Sequence, residues 1–219
     1  MRHVGIAALG AVVALALGAG TASAATVENG NFETGDLEGW KTDFFGPGAW
    51  DTYSSLRQQG GMAFPAPPQG DFAAVSEQGM PSAMFLSQVV KLERGQRHKL
   101  KFKLAYQNNN TGAPRGAEFP GFWTPHHFRF GKNARPNQQF RMDVMKPDAP
   151  IKSLKAKHIL ERVYITERGD PNNRIYKTVK EDLTDHAGER VRLRFAVVVT
   201  EAELNVGVDA VKIRSKPSG

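Results

Sequence analysis

Asp209 carries the sharpest chemical demand in the sequence. In Val208-Asp209-Ala210-Val211-Lys212-Ile213, strict alternation places Asp209 on the side of Val211 and Ile213. If that side is the core, the carboxylate needs a cation or several donors, because an unpaired buried charge is costly. Backbone amides or a Lys or Arg would satisfy it as well as a metal ion. A second acid, Asp143, lies two residues from Arg141 in Phe140-Arg141-Met142-Asp143-Val144-Met145. With Phe140, Met142 and Val144 inward, Arg141 and Asp143 share the opposite face. There they form either a polar floor that binds hydroxyls through paired hydrogen bonds or a surface ion pair. Trp50, Tyr53, Phe122 and Trp123 fall in stretches without strand periodicity. Their flat rings suit the faces of sugars, with packing inside the loops as the plainer alternative. Trp40, directly after Gly39, reads instead as a packing residue. Arg129, between Phe128 and Phe130, suits an anionic ligand. The neighbouring His126 and His127 point opposite ways on an extended chain and are not expected to chelate one ion. There is no Gly-x-Ser-x-Gly elbow and no P-loop. A glycosidase would need two carboxyls at a set separation, which spacing in the sequence does not assign.

The elements that must position these residues are mostly strands. Leu100, Phe102, Leu104 and Tyr106 alternate with Lys99, Lys101 and Lys103, the pattern of a strand with one wet face. Arg190 to Val197 alternates in the same way and sends Arg190, Arg192 and Arg194 outward. A last strand is expected from Val206 to Ile213. Ile151 to Thr166 allows a helical phase or, equally, a loop leading into a strand at Arg162–Thr166. Phe44 to Gly70 and Gln107 to Pro136 read as long irregular stretches, where binding features commonly lie. Short amphipathic strands separated by Gly, Pro and Asn clusters predict an all-β antiparallel sandwich with little helix.

Several segments carry a family resemblance. Asn29-Gly30-Asn31-Phe32-Glu33-Thr34-Gly35-Asp36-Leu37-Glu38-Gly39-Trp40 resembles the opening of carbohydrate-binding-module-like, galactose-binding-fold jelly rolls. Gln69 to Val75, Leu86 to Val90, Gly95 to Leu104 and Val208 to Ile213 resemble later strands of that family in the same order, although His98 stands where Tyr is usual. The resemblance implies a jelly-roll β-sandwich, and family members serve many uses, from glycan binding to non-catalytic parts of enzymes. It also implies a structural Ca²⁺ held by Glu33 and Asp209, with Asn31 or Asp71 and backbone carbonyls completing a shell of six to eight oxygens.

Composition sets the remaining bounds. Met1, Arg2 and His3 precede an uncharged run to Gly20, and Ala22-Ser23-Ala24 has the small-x-small form of a cleavage site. Residues 1–24 are therefore expected to be a secretory signal and 25–219 one exported domain, extracellular, or periplasmic where there is an outer membrane. No later apolar run is long enough to span a bilayer. The 219-residue chain has no Cys, which excludes disulfides and thiol chemistry, and its net charge of +7 favours anionic surroundings. The basic residues form no block of the kind that marks a nucleic-acid arm. The expected function is a non-catalytic module that binds carbohydrate or another extracellular polymer through Trp50, Tyr53, Trp123, Arg129, Arg141 and Asp143. The alternatives are an adhesive surface protein and a hydrolase or lyase of acidic polysaccharide.

Overall fold

The computed structural model describes residues 25–54, 58–59, 62–77, 81–109, 121–130 and 134–218. The expected signal segment lies outside them. Twelve strands follow one another: β1 (Lys41–Phe45), β2 (Ala49–Ser54), β3 (Gln58–Gln59), β4 (Met62–Ala63), β5 (Phe72–Glu77), β6 (Ser82–Lys91), β7 (Gln96–Asn108), β8 (Gln139–Met145), β9 (Ile159–Ile165), β10 (Asn173–Asp182), β11 (Arg190–Val199) and β12 (Leu204–Pro217). β3 and β4 pair only with each other. The other ten form two antiparallel sheets, the first in the order β1-β6-β11-β8-β9 and the second in the order β10-β7-β12-β5-β2. From β5 to β8, and again from β10 to β12, successive strands alternate between the sheets. This is the jelly-roll β-sandwich expected from the sequence.

The alternating residues explain the stacking. Leu86, Phe102, Phe140, Phe195 and Val206 fill the space between the sheets. Each such side chain contributes about 1.5–3 kcal/mol by leaving water. Trp40 is buried there, 5.5 Å from the Phe32 ring and 5.9 Å from that of Phe195. The outer faces are covered in places as well. Ala83, Phe85, Ala196 and Val198, on the outside of the first sheet, pack under Phe128, Phe130, Ile151 and Leu154. β8 is consequently buried at every position.

One open alternative is decided and two expectations about elements change. Residues 151–166 contain no α-helix: a loop and one 3₁₀ turn, Ala156–His158, lead into β9. The stretch from Phe44 to Gly70 contains β2 rather than open loop, and Trp50 and Tyr53 are both buried on it. Finally, a bulge between Asp209 and Lys212 breaks the alternation of β12. Ala210 there has φ of 51°. Val208 and Val211 both reach the core while Asp209 turns to the outer face, opposite Lys103.

Candidate functional site

A large concavity lies over the outer face of the first sheet. Its volume is about 930 Å³, and its two walls come from residues 126–130 and 152–155. Beneath it, Asp143 on β8 is fully buried between two arginines. Arg141 reaches it through Nε at 2.7 Å, and Arg194 on β11 through a terminal nitrogen at 2.6 Å. The Phe128 ring covers both guanidinium groups, 5.1 Å from Arg194 and 5.9 Å from Arg141, and meets Phe85 edge-on. Arg141 and Asp143 thus lie under the cleft floor. The expectation of an exposed polar floor or a surface ion pair fails because the third layer lies over their face of the sheet.

Arg194 also ties down one cleft wall, and Arg192 ties down the chain leading into it. Arg192 donates to the Ala149 carbonyl at 2.6 Å and to that of Pro147, and Arg194 donates to the carbonyls of Ile151 and, at 2.9 Å, Ser153. Of the three arginines expected to face water, only Arg190 is exposed. The opposite wall is tied by Asn137, whose amide donates to the His127 carbonyl at 2.7 Å. Hydrogen bonds from an ionised donor are stronger than neutral ones, so the walls are held in place ahead of any ligand.

The mouth of the cleft is cationic. Arg129, Lys152 and Lys155 are exposed and line it, with Phe130 and Leu154 as apolar neighbours. The Lys152 ammonium sits 3.0 Å from the centroid of the Phe45 ring, and burial holds it below the ordinary lysine range. Burial, with Arg129 and Arg135 nearby, likewise lowers the pKa of His127. Among the described lining residues there is no carboxyl group. Such a set can bind an anionic or polar ligand, stack a sugar face on its apolar side chains and keep His127 neutral at pH 7.

Of the residues singled out from sequence, Arg129 lines the cleft and Arg141 and Asp143 support it. Trp50 belongs to the central core. Tyr53 lies on the outer face of the second sheet, where its hydroxyl contacts the Pro65 carbonyl and, at 2.7 Å, the Tyr176 hydroxyl. Burial raises its pKa first, and the charge of Asp209 adds to the effect. Trp123 is half-buried, bridges to Gln138 through backbone bonds of 2.8 Å and has the Arg168 guanidinium 5.9 Å from its ring. Phe122 is buried against Tyr106. Sequence reading missed Lys152, Lys155, Phe128 and Arg194. Arg194 alone left a trace, as an arginine between core residues on an alternating strand.

A second polar cluster surrounds Asp209. The opening segment docks on the β12 bulge, with the Val211 amide donating to the Gly30 carbonyl at 2.7 Å. A Cβ at Gly30 would lie 2.0 Å from the Val211 carbonyl oxygen, so only glycine permits this approach. Phe32 adopts φ of 58°, a conformation that costs an L-residue of its bulk free energy. The Glu33 carboxylate accepts the amides of Asp71, at 3.1 Å to both oxygens, and of Phe72 at 3.0 Å. Asp209 is fully buried. Its Oδ1 accepts the Ala210 amide, while its Oδ2 has no partner. Burial, reinforced by the charge of Glu33, pushes its pKa up to about 7. Asn31 and Asp71 are exposed, and among the described residues no three acidic or histidine side chains form a metal-binding group.

No family model and no curated protein matches this chain. Solved structures do resemble it. The enzymatically active domain of tailspike protein 4 from bacteriophage CBA120 superposes with a TM-score of 0.51 at 11% identity, over 88% of this chain and 21% of that one. The chain thus spans only a fraction of that domain. The K3 cleaved adhesin domain of Lys-gingipain from Porphyromonas gingivalis W83 gives a TM-score of 0.49 at 16% identity, over 86% of this chain and 96% of the domain. TmCBM61, solved with β-1,4-galactotriose, gives 0.47 at 13% identity over 89% of this chain and 100% of that module. At these identities the likeness concerns the fold alone. The chain has a jelly-roll β-sandwich, and among the described residues no helix is long and apolar enough to cross a membrane.

Proposed function

We propose that this chain is an exported binding module that recognises carbohydrate through the cleft on its first sheet. One observation carries the reading: an open concavity whose walls are tied by Arg194 and Asn137 and whose mouth presents Arg129, Lys152 and Lys155 beside apolar side chains. Sugar sites combine apolar area with a few fixed polar groups, and a cationic mouth favours sugars that carry acidic substituents. A hydrolytic reading is less favoured because glycoside cleavage uses two carboxyls and the described lining offers none. The test is a glycan array with neutral and acidic oligosaccharides, run alongside a cell-wall pull-down. Binding that weakens about tenfold in Arg129→Ala supports the reading, since a charge-assisted contact is worth about 1.5–3 kcal/mol. Failure to bind any glycan or wall fraction contradicts it.

The Glu33–Asp209 cluster is proposed to hold a structural Ca²⁺. The unpartnered Oδ2 of Asp209, beside the negative charge of Glu33, supports the reading, because two crowded carboxylates favour a cation. Calcium would neutralise both acids and fasten the opening segment to β12. The experiment is thermal melting in excess EDTA and in calcium, with elemental analysis of the purified protein. An unchanged melting temperature and absence of metal would sink the proposal.

A further inference from the structure

The outer face of the second sheet carries a field of positive charge that the cleft does not use. Strand register builds it. Lys101 on β7 lies between Lys180 on β10 and Lys212 on β12, one from each neighbouring strand. Next to this row, Lys99 stands opposite Arg214, and Arg97 opposite Lys216. Like charges directly opposed on neighbouring strands destabilise a sheet. The described residues give these side chains no ion pair within 4 Å: Asp182, the acid beside Lys99, has its carboxylate engaged by the amide and hydroxyl of Thr184. Lys101 is held below the ordinary lysine range by partial burial and then by Lys212, Arg214, Lys103 and Lys180. Asp182 interacts with Lys99 and Arg97 but balances only part of this charge, so an arrangement that costs stability and keeps an excess of cations points to an external counter-charge.

The geometry describes that counter-charge. Same-face residues along a strand repeat every 6.8 Å or so, and strands lie about 4.8 Å apart, so Arg97 to Lys103 span roughly 20 Å. The field is a strip with shallow grooves, lined by Lys99, Lys101, Lys180 and Arg214 with Glu181 and Asp182 at one place, and by Arg97 and Lys216 with Asp182 at another, so cations outnumber acids in both. It suits an extended chain with a charge on each unit better than a compact anion. Most of its cations are lysines, which act as hydrated point charges and suit a row of spaced anions without a fixed bidentate geometry. No large aromatic side chain is exposed on the strip among the described residues, since Tyr53, Phe64 and Tyr176 pack on one another at its far end. Single-stranded nucleic acid binding ordinarily uses such rings to stack bases. We propose that this face docks an extended acidic polysaccharide whose uronate carboxylates meet the lysine rows. The surface is separate from the cleft and does not depend on it.

The test is binding of polygalacturonate by the whole exported chain across a salt series, with dextran and oligothymidylate as comparison polymers. Wild-type protein is expected to bind polygalacturonate with an affinity that falls steeply as salt rises, and to leave dextran unbound. Lys101→Glu with Lys212→Glu should weaken binding roughly tenfold or more, and the glutamine pair should give an intermediate loss. These exposed or half-exposed sites leave the core intact, which an unchanged melting temperature verifies. Lys41→Glu with Arg190→Glu makes the same change in net charge on the other sheet and should stay within about twofold of wild type. Three results would overturn the proposal: no binding of polygalacturonate, equal loss from the Lys41 and Arg190 pair, or tighter binding of oligothymidylate than of polygalacturonate. The cleft is read with short oligosaccharides on the opposite sheet, so either surface can fail alone.

Discussion

Two buried acids illustrate opposite ways of managing charge. Asp143 has two guanidinium partners and contacts both. Asp143→Asn would leave Arg141 and Arg194 buried without an anion. Breaking a buried pair in this way costs about 3–5 kcal/mol, and urea unfolding should show a loss of that order. A loss below about 1 kcal/mol would mean that water reaches the triad. Asp209 has the Ala210 amide and, more weakly, the Gln69 amide near its carboxylate, its Oδ2 makes no hydrogen bond, and its proton is held more tightly in the folded state. Its folded pKa of about 7 stands above the ordinary 3.8. Without a cation, the contribution of this acid to stability is present below about 4 and is lost as pH rises through about 7. In EDTA, wild-type protein should therefore gain more stability on moving from pH 7.5 to 5 than Asp209→Asn does. Under the calcium proposal, added calcium at pH 7.5 raises the melting temperature of wild type by several degrees and leaves that of the variant unmoved. At one hundred times its dissociation constant such an ion contributes about 2.7 kcal/mol.

At the scale of elements, the docking of the opening segment on the β12 bulge is the tightest junction. Gly30→Ala places a methyl group against the Val211 carbonyl and should break the Val211–Gly30 hydrogen bond. A destabilisation of about 1–3 kcal/mol is expected from denaturant titration. A variant as stable as wild type would show that the segment docks elsewhere. This junction also marks where sequence reasoning succeeds and where it stops. The motif from Asn29 to Trp40 and the alternation around Phe102 and Phe195 were enough to indicate a jelly roll, because local periodicity reports which face is buried. The bulge at Asp209–Lys212 was hidden, since a bulge adds a residue without altering composition, and it moved Asp209 to the other face. The third layer was hidden for another reason. Alternation marks Arg141, Asp143 and Arg194 as outward but does not say that Phe128 and Ile151 will cover that face. Lys152 and Lys155 became cleft residues only through the route of that covering loop, and the lysine rows only through the pairing of β7 with β10 and β12.

For the whole molecule, the sandwich supplies two surfaces of similar sign on opposite sheets. A net charge of +7 would be spread thinly over a surface of this size if it were random. The fold instead concentrates cations at the mouth of a cleft and along a strand-long strip. Both placements suit the proposed encounter with acidic polymers, and the absence of cysteine leaves the core, the buried triad and the proposed ion to supply rigidity. The central claim is that the cleft binds sugar. It is tested most directly by titrating isotope-labelled protein with short neutral and acidic oligosaccharides and following backbone amide shifts. Saturable shifts concentrated in residues 126–130 and 152–155 are expected, larger for the acidic sugars. Saturable shifts confined to other parts of the chain, or no shift with any oligosaccharide, would contradict it.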